Sequence, residues 1–237
     1  MDFSSALLPA KFVSRYKRFF CDAELPNGKV VTAHCPNPGS MRFLLVEGAP
    51  IWISYNDNPR RKLRYSWELV QVEDTLVGIN TSRANAVVDE ALGRGAISQL
   101  ADYGDIKREV PYGKASRVDF LLREAGLPPC YLEVKSVTMS REAGLAEFPD
   151  SVTARGLKHL EELSDVVRQG ARAVLLFLVQ RSDALRVSTA ADIDPAYAEG
   201  LEKARQSGVE ILCYRCNVML ESIELDKEIP HAPAPCG

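Results

Sequence analysis

Residues that could do chemistry concentrate in one short stretch. Glu133-Val134-Lys135 sets an acid and a base two positions apart in strand-like text, so both side chains point to one face while Val134 points to the other. If Arg117–Arg123 and Cys130–Val137 form a hairpin centred near Leu127, Asp119 lies opposite Lys135 and diagonal to Glu133. Two carboxylates this close repel each other. A divalent cation such as Mg²⁺ removes the repulsion and accepts such hard oxygen ligands. A neighbouring lysine can orient a water, offset charge on a phosphorane or contact a phosphate. The set suits metal-assisted phosphodiester hydrolysis, or phosphate binding without hydrolysis. The bland alternative is a surface ion pair, and Asp105-Ile106-Lys107 is a second such triplet without a partner acid on a preceding strand.

Nucleic-acid contacts have their own candidates. Arg60, Arg61, Lys62 and Arg64, flanked by Tyr55, Tyr65 and Trp67, combine cations for phosphates with rings for bases, although Trp67 reads better as core. Lys17 and Arg18 are of the same type, and Arg117 shares the predicted strand face of Asp119. Arg155 and His159, four apart, flank the apolar side of a predicted helix; for His159 an ordinary helix flank is the preferred reading. His34 and Asn37 stand in a Pro-Gly loop that binds a ligand or merely fixes a turn. Cys213-Tyr-Arg-Cys216 lacks a second ligand pair, which argues against structural zinc. No glycine-rich phosphate loop occurs, so no nucleotide cofactor is expected.

The elements that must position these residues divide near residue 80. Before it come Tyr16–Glu24, Lys29–Cys35, Ile51–Tyr55, Arg64–Val72 and Thr75–Ile79, short strands broken by turns, which suggest an OB-fold-like β-barrel over 1–82. After it come a helix over Asn85–Gly93 and strands Ile106–Val110, Arg117–Arg123 and Cys130–Val137. A helix over Val152–Arg168 follows, with Ala154, Leu157, Leu160, Leu163 and Val167 on one face. The apolar run Ala173–Val179, a helix Pro195–Ser207 and a strand Val209–Cys216 complete an α/β domain over 83–229, leaving 230–237 as a flexible tail. The first 82 residues hold ten basic and eight acidic side chains against an overall charge of −3, so the early third has its own electrostatic character. Bulk charge alone cannot bind nucleic acid here. No apolar run is long enough to span a membrane, no secretory leader is evident and the cysteines read as free thiols, so a cytoplasmic protein is expected.

The order helix, three strands, helix, strand, with Asp119 and Glu133-Val-Lys135 on successive strands, resembles the PD-(D/E)XK nuclease fold. Several segments also resemble the SfsA (sugar fermentation stimulation protein) family. They include Arg15-Tyr-Lys-Arg-Phe-Phe, His34-Cys-Pro-Asn-Pro-Gly-Ser-Met41, Asp57-Asn-Pro-Arg-Arg-Lys-Leu63, Asn80-Thr-Ser82, Ser116-Arg-Val-Asp-Phe120, Tyr131-Leu-Glu-Val-Lys135 and Ala146–Gly156. The resemblance implies an OB-like domain followed by a nuclease-like domain, DNA binding largely indifferent to sequence, and a regulatory role in sugar (maltose) catabolism. It supports binding of DNA more firmly than cutting. In a nuclease of this kind Asp119, Glu133 and Lys135 would be catalytic, with Mg²⁺ or Mn²⁺ held by Asp119, Glu133, Val134 and, from the first helix, Glu90 or its neighbour Asp89. Thr153 and Arg155 join the DNA-binding set because they fall in a family-like segment, and a homodimer is an admissible assembly. Val118 stands where the nuclease pattern has proline.

Overall fold

The structure, a computed structural model, describes residues 1–113 and 116–232. Six strands fill the first third: β1 (Leu8–Tyr16), β2 (Phe20–Glu24), β3 (Val30–His34), β4 (Pro50–Tyr55), β5 (Tyr65–Val72) and β6 (Thr75–Gly78). They run in the order β3-β2-β1-β4-β5-β6, and a parallel β3–β5 pairing closes the sheet on itself. Period-two alternation sends Cys21, Ala23, Val31, Ala33, Ile51 and Ile53 inward around Trp67, which is fully buried. The result is the expected OB-type barrel. Two boundaries differ: β1 begins at Leu8, ahead of the first expected strand, and Tyr16–Glu24 is not one strand but the end of β1, a tight turn and β2. The turn residues Lys17 and Arg18 hold φ of 48° and 66° without glycine, so the sequence carries no usual turn signal there.

The remaining elements are α1 (Ala84–Gly93), β7 (Asp105–Tyr112), β8 (Ser116–Arg123), β9 (Cys130–Val137), β10 (Met139–Glu142), β11 (Leu145–Phe148), α2 (Ala154–Arg168), β12 (Arg172–Val179), β13 (Arg186–Thr189), α3 (Pro195–Gln206), β14 (Glu210–Val218) and β15 (Ile223–Glu228). A six-stranded sheet runs β15-β14-β12-β9-β8-β7, with β9, β12 and β14 parallel at its centre. The apolar run of β12 is buried throughout, as a strand covered on both faces requires. Helix α1 packs its Val87, Val88, Ala91 and Leu92 on one face, while α2 and α3 cover the other with Leu160, Leu163, Tyr197 and Leu201. Thr153 and Asp194 cap α2 and α3, accepting from the backbone N–H groups of Gly156 and Tyr197. The edge strand β15 and the small sheet β10-β11-β13 are additional to the expected elements; the strands of the small sheet are only four residues each, too short to show a period.

Contacts between the barrel and the α/β domain are specific. Ser40 donates to the Asp150 carbonyl at 2.6 Å, and the Met41 N–H donates to Asp150 Oδ2 at 3.0 Å. Gly78 N–H donates to the Gln180 carbonyl at 2.8 Å. Met1 and Phe3 pack against the core of the α/β domain. Of the expected tail, Pro230 and Ala232 exchange main-chain hydrogen bonds with Val187, so these residues continue the fold; 233–237 lie outside the described residues. No helix among the described residues is long and apolar enough to cross a membrane.

Candidate active site and nucleic-acid cleft

A cleft of about 630 Å³ opens where the barrel meets the α/β domain. Arg18, Asn37 and Gly39 line one side; Asp119, Glu133, Lys135, Asp150, Thr153 and Arg155 line the other. The β8–β9 ladder pairs Phe120 with Leu132, Leu121 with Tyr131 and Leu122 with Cys130. That register sets Asp119 level with Glu133, not with Lys135 as the hairpin centred at Leu127 required. A shift of two positions keeps the side chains on the same face, so the convergence survives the wrong register.

The ladder stops at Phe120, and beyond it Asp119 itself supplies the acceptors. Its Oδ2 accepts from the Val134 N–H at 2.7 Å, and its Oδ1 accepts from Asn85 Nδ2 at 2.8 Å. Burial, reinforced by the charge of Glu133, holds the Asp119 carboxyl above the ordinary aspartate range despite those donors and Lys135. Glu133 goes the other way. Burial alone would raise it, but the hydrogen bond from His159 and the charge of Lys135 together bring it below the usual glutamate value.

Glu133 is 3% exposed, and its Oε1 accepts from Lys135 Nζ at 2.8 Å while meeting His159 Nδ1 closely. Arg155 Nε donates to His159 Nε2 at 3.3 Å. Lys135 Nζ also lies 3.2 Å from His159 Nδ1, so the ring sits between the Glu133 carboxylate and two cationic side chains. Glu133 Oε2 is buried with no hydrogen-bond partner among the described residues. An orphaned buried carboxylate oxygen is costly, and beside a second acid it is a hard-oxygen pair of the kind that suits a divalent cation. Asp119 and Glu133 therefore fit a divalent ion, and the main chain of Val134, whose side chain is in the core, borders the same space.

The other expected site residues separate. Glu90 is not part of the cleft. It is 40% exposed and pairs with the Met1 ammonium at 2.8 Å and Arg94 at 3.3 Å, because its position on α1 turns it away from β8. Asp89 pairs with Arg108. The helix contributes Asn85 instead, earlier on α1. Arg117 also stays outside, exposed and donating to the Glu109 carbonyl of the adjacent strand. Thr153 and Arg155 border the cleft beside His159, and Arg18 borders it from the barrel. Arg60, Arg61, Lys62 and Arg64 form the β4–β5 loop, where Arg61 donates to Ser66 Oγ at 2.9 Å and Arg64 to the Tyr55 hydroxyl. None of the ten lysines and arginines of residues 1–82 has a carboxylate within ion-pair distance among the described residues.

His159 is the site residue whose preferred reading fails: it is 3% exposed, not an ordinary flank. The buried residues of α2 are Gly156, His159, Leu160, Glu162, Leu163, Ser164 and Val166, rotated from the expected stripe, because Leu157 packs toward α3 at Gly200. A titratable residue next to a core leucine was the available signal. Cys213 and Cys216 lie in cores on opposite faces of the sheet and cannot share an ion.

Two family models match the chain. One, described as the SfsA N-terminal OB domain, covers residues 13–79; the other, described as the sugar fermentation stimulation protein RE domain, covers 82–222. Among similar sequences, the sugar fermentation stimulation protein homolog of Maricaulis maris is 51% identical over 92% of this chain and 93% of its own length. The homolog of Dinoroseobacter shibae is 51% identical over 99% and 97%. Among solved structures, that of Pyrococcus furiosus SfsA in complex with Ca²⁺ superposes with a TM-score of 0.89 at 25% identity, covering 98% of both chains.

Proposed function

The chain belongs to the sugar fermentation stimulation protein (SfsA) family, with an OB domain and a nuclease-like domain, and on that premise we propose that it binds DNA in the cleft between them with little regard to sequence. The observation that carries this reading is the set of unpaired cations. Lys17 and Arg18 form the β1–β2 turn and Arg60, Arg61, Lys62 and Arg64 the β4–β5 loop, the two loops with which OB barrels bind oligonucleotides. Arg18 then continues into the cleft, where Arg155 and the capped start of α2 await phosphates. Fluorescence anisotropy with labelled duplexes tests it. Affinity should fall with a log–log salt slope of about −4 to −7, for five to eight released counterions, and differ by less than about threefold between unrelated sequences. Strong preference for one sequence with a flat salt response would sink the proposal. A regulatory role in sugar catabolism would rest on these same DNA contacts.

A second reading is favoured by the orphaned Glu133 Oε2: the cleft is a divalent-metal phosphodiesterase site. Asp119, Glu133 and the main chain of Val134 would hold the ion, and the Ca²⁺ in the Pyrococcus furiosus relative supports a hard divalent cation. Such an ion, Mg²⁺ or Mn²⁺, supplies Lewis acidity and a lowered water pKa when bound. Lys135 sets its ammonium beside Glu133, where it can offset charge developing on a phosphate. Arg155 orients His159, which in turn fixes the Glu133 carboxylate. Incubation with nicked, branched and single-stranded DNA in Mg²⁺ or Mn²⁺ should give cleavage that Glu133→Ala and Lys135→Ala each reduce by at least about a hundredfold. Cleavage surviving both substitutions would mark a contaminant and end this reading.

A further inference from the structure

Next to Arg18 the barrel surface turns aromatic. Tyr16 and Phe19 are 40% and 42% exposed. Tyr16 stacks on Phe20 at 5.5 Å with 12° between the planes, and the Phe19 ring lies 6.4 Å from that of His34. His34 is paired with Phe20 across β2–β3 and with Ser66 across β3–β5, and Ser66 is the residue that receives Arg61. The β1–β2 turn, the C-terminal end of β3 and the β4–β5 loop thus form one continuous patch. Burial, with Arg61 adding to it, holds His34 below the ordinary histidine range, so its ring is uncharged at neutral pH. Asp22, the acid within the patch, accepts from the Thr32 and Tyr16 hydroxyls.

A duplex presents phosphates and groove edges to such a surface, but no flat apolar face. An unpaired strand presents both phosphates and base faces, and exposed rings interleaved with unpaired cations match that combination. We propose that Tyr16, Phe19 and His34, with Lys17, Arg18 and Arg61, form a stacking platform for unpaired bases. The substrate class is then DNA with a single-stranded segment adjoining a duplex, the duplex seated in the cleft and the free strand running over the barrel. This rests on the DNA-binding reading of the cleft.

Anisotropy titrations of the full chain with a blunt duplex, and with the same duplex bearing an overhang of about six nucleotides, test the platform. The overhang should bind about tenfold tighter. Phe19→Ala should remove most of that advantage while changing blunt-duplex affinity less than about twofold, and Phe19→Tyr should keep it. Equal binding of the two DNAs, or an advantage that survives Phe19→Ala with Tyr16→Ala, would overturn the platform and leave the cleft reading standing. Binding of the overhang with none of the duplex would overturn the cleft reading instead.

Discussion

Asp119 and Glu133 stand level across the mouth of the β8–β9 opening, yet their surroundings treat their charges oppositely. Burial and the neighbouring Glu133 disfavour ionised Asp119 more than its donors favour it. A carboxyl whose folded pKa is raised binds more protons folded than unfolded, so above its ordinary 3.8 its charge destabilises the fold increasingly as pH rises through the folded pKa. Glu133, with a depressed pKa, contributes stability that is present above its ordinary 4.5 and lost as pH falls through the folded value. Asp119→Asn keeps an acceptor for the Val134 N–H, and Asn85, with its amide turned over, can present Oδ1 to the new NH2, so the variant should raise Tm at pH 7 in chelator. The rise should be about 2–4 °C, the response of a chain this size to ~1 kcal/mol, and should shrink toward acid pH. Added divalent cation should stabilise the wild type and not the variant. A variant that melts lower than wild type in chelator at pH 7 would contradict this balance of charges.

At the scale of elements, the β1–β2 turn accepts backbone strain that glycine would avoid. Lys17 and Arg18 both hold positive φ, a conformation costing about 1 kcal/mol or more per non-glycine residue. Two long cations retained there make sense if their charges are used. Replacing the pair by Asn-Gly should raise the unfolding free energy by about 1 kcal/mol in urea titration while lowering the DNA salt slope by about two. Unchanged salt dependence would remove this turn from the DNA interface. Legibility in the sequence was greatest at this scale. Cys130–Val137 has the expected limits and Ala173–Val179 is the buried central strand, because alternation and long apolar runs are local. The turn was not legible, since Lys-Arg carries no conformational preference for it.

In the whole molecule, the Pro-Asn-Pro-Gly-Ser loop holds the barrel against the α/β domain and forms a wall of the cleft. Asn37 binds the Ile79 carbonyl, Arg15 binds the Asn37, Gly39 and Ser40 carbonyls, and a Cβ at Gly39 would overlap the Asp150 carboxylate. Gly39→Ala should therefore destabilise by about 1–3 kcal/mol. Asp150→Ala should cost a similar amount through its lost hydrogen bonds. The double variant should be more stable than the sum implies, since removing the carboxylate makes room for the methyl. Strict additivity in a urea-unfolding cycle would show that the loop and Asp150 do not meet in solution.

The pairing of Glu133 and Lys135 on one face, the barrel-then-α/β order and the concentration of basic residues early in the chain were determined by the sequence alone. Each depends on a local period or on composition. Only the tertiary structure decided that Asn85 and not Glu90 reaches Asp119, that His159 closes on Glu133, and that Arg18 shares a cleft with both acids. One residue is about 100° of helix rotation, and the seating of two domains depends on contacts more than a hundred residues apart, such as Met41 with Asp150. Neither is written in any local pattern.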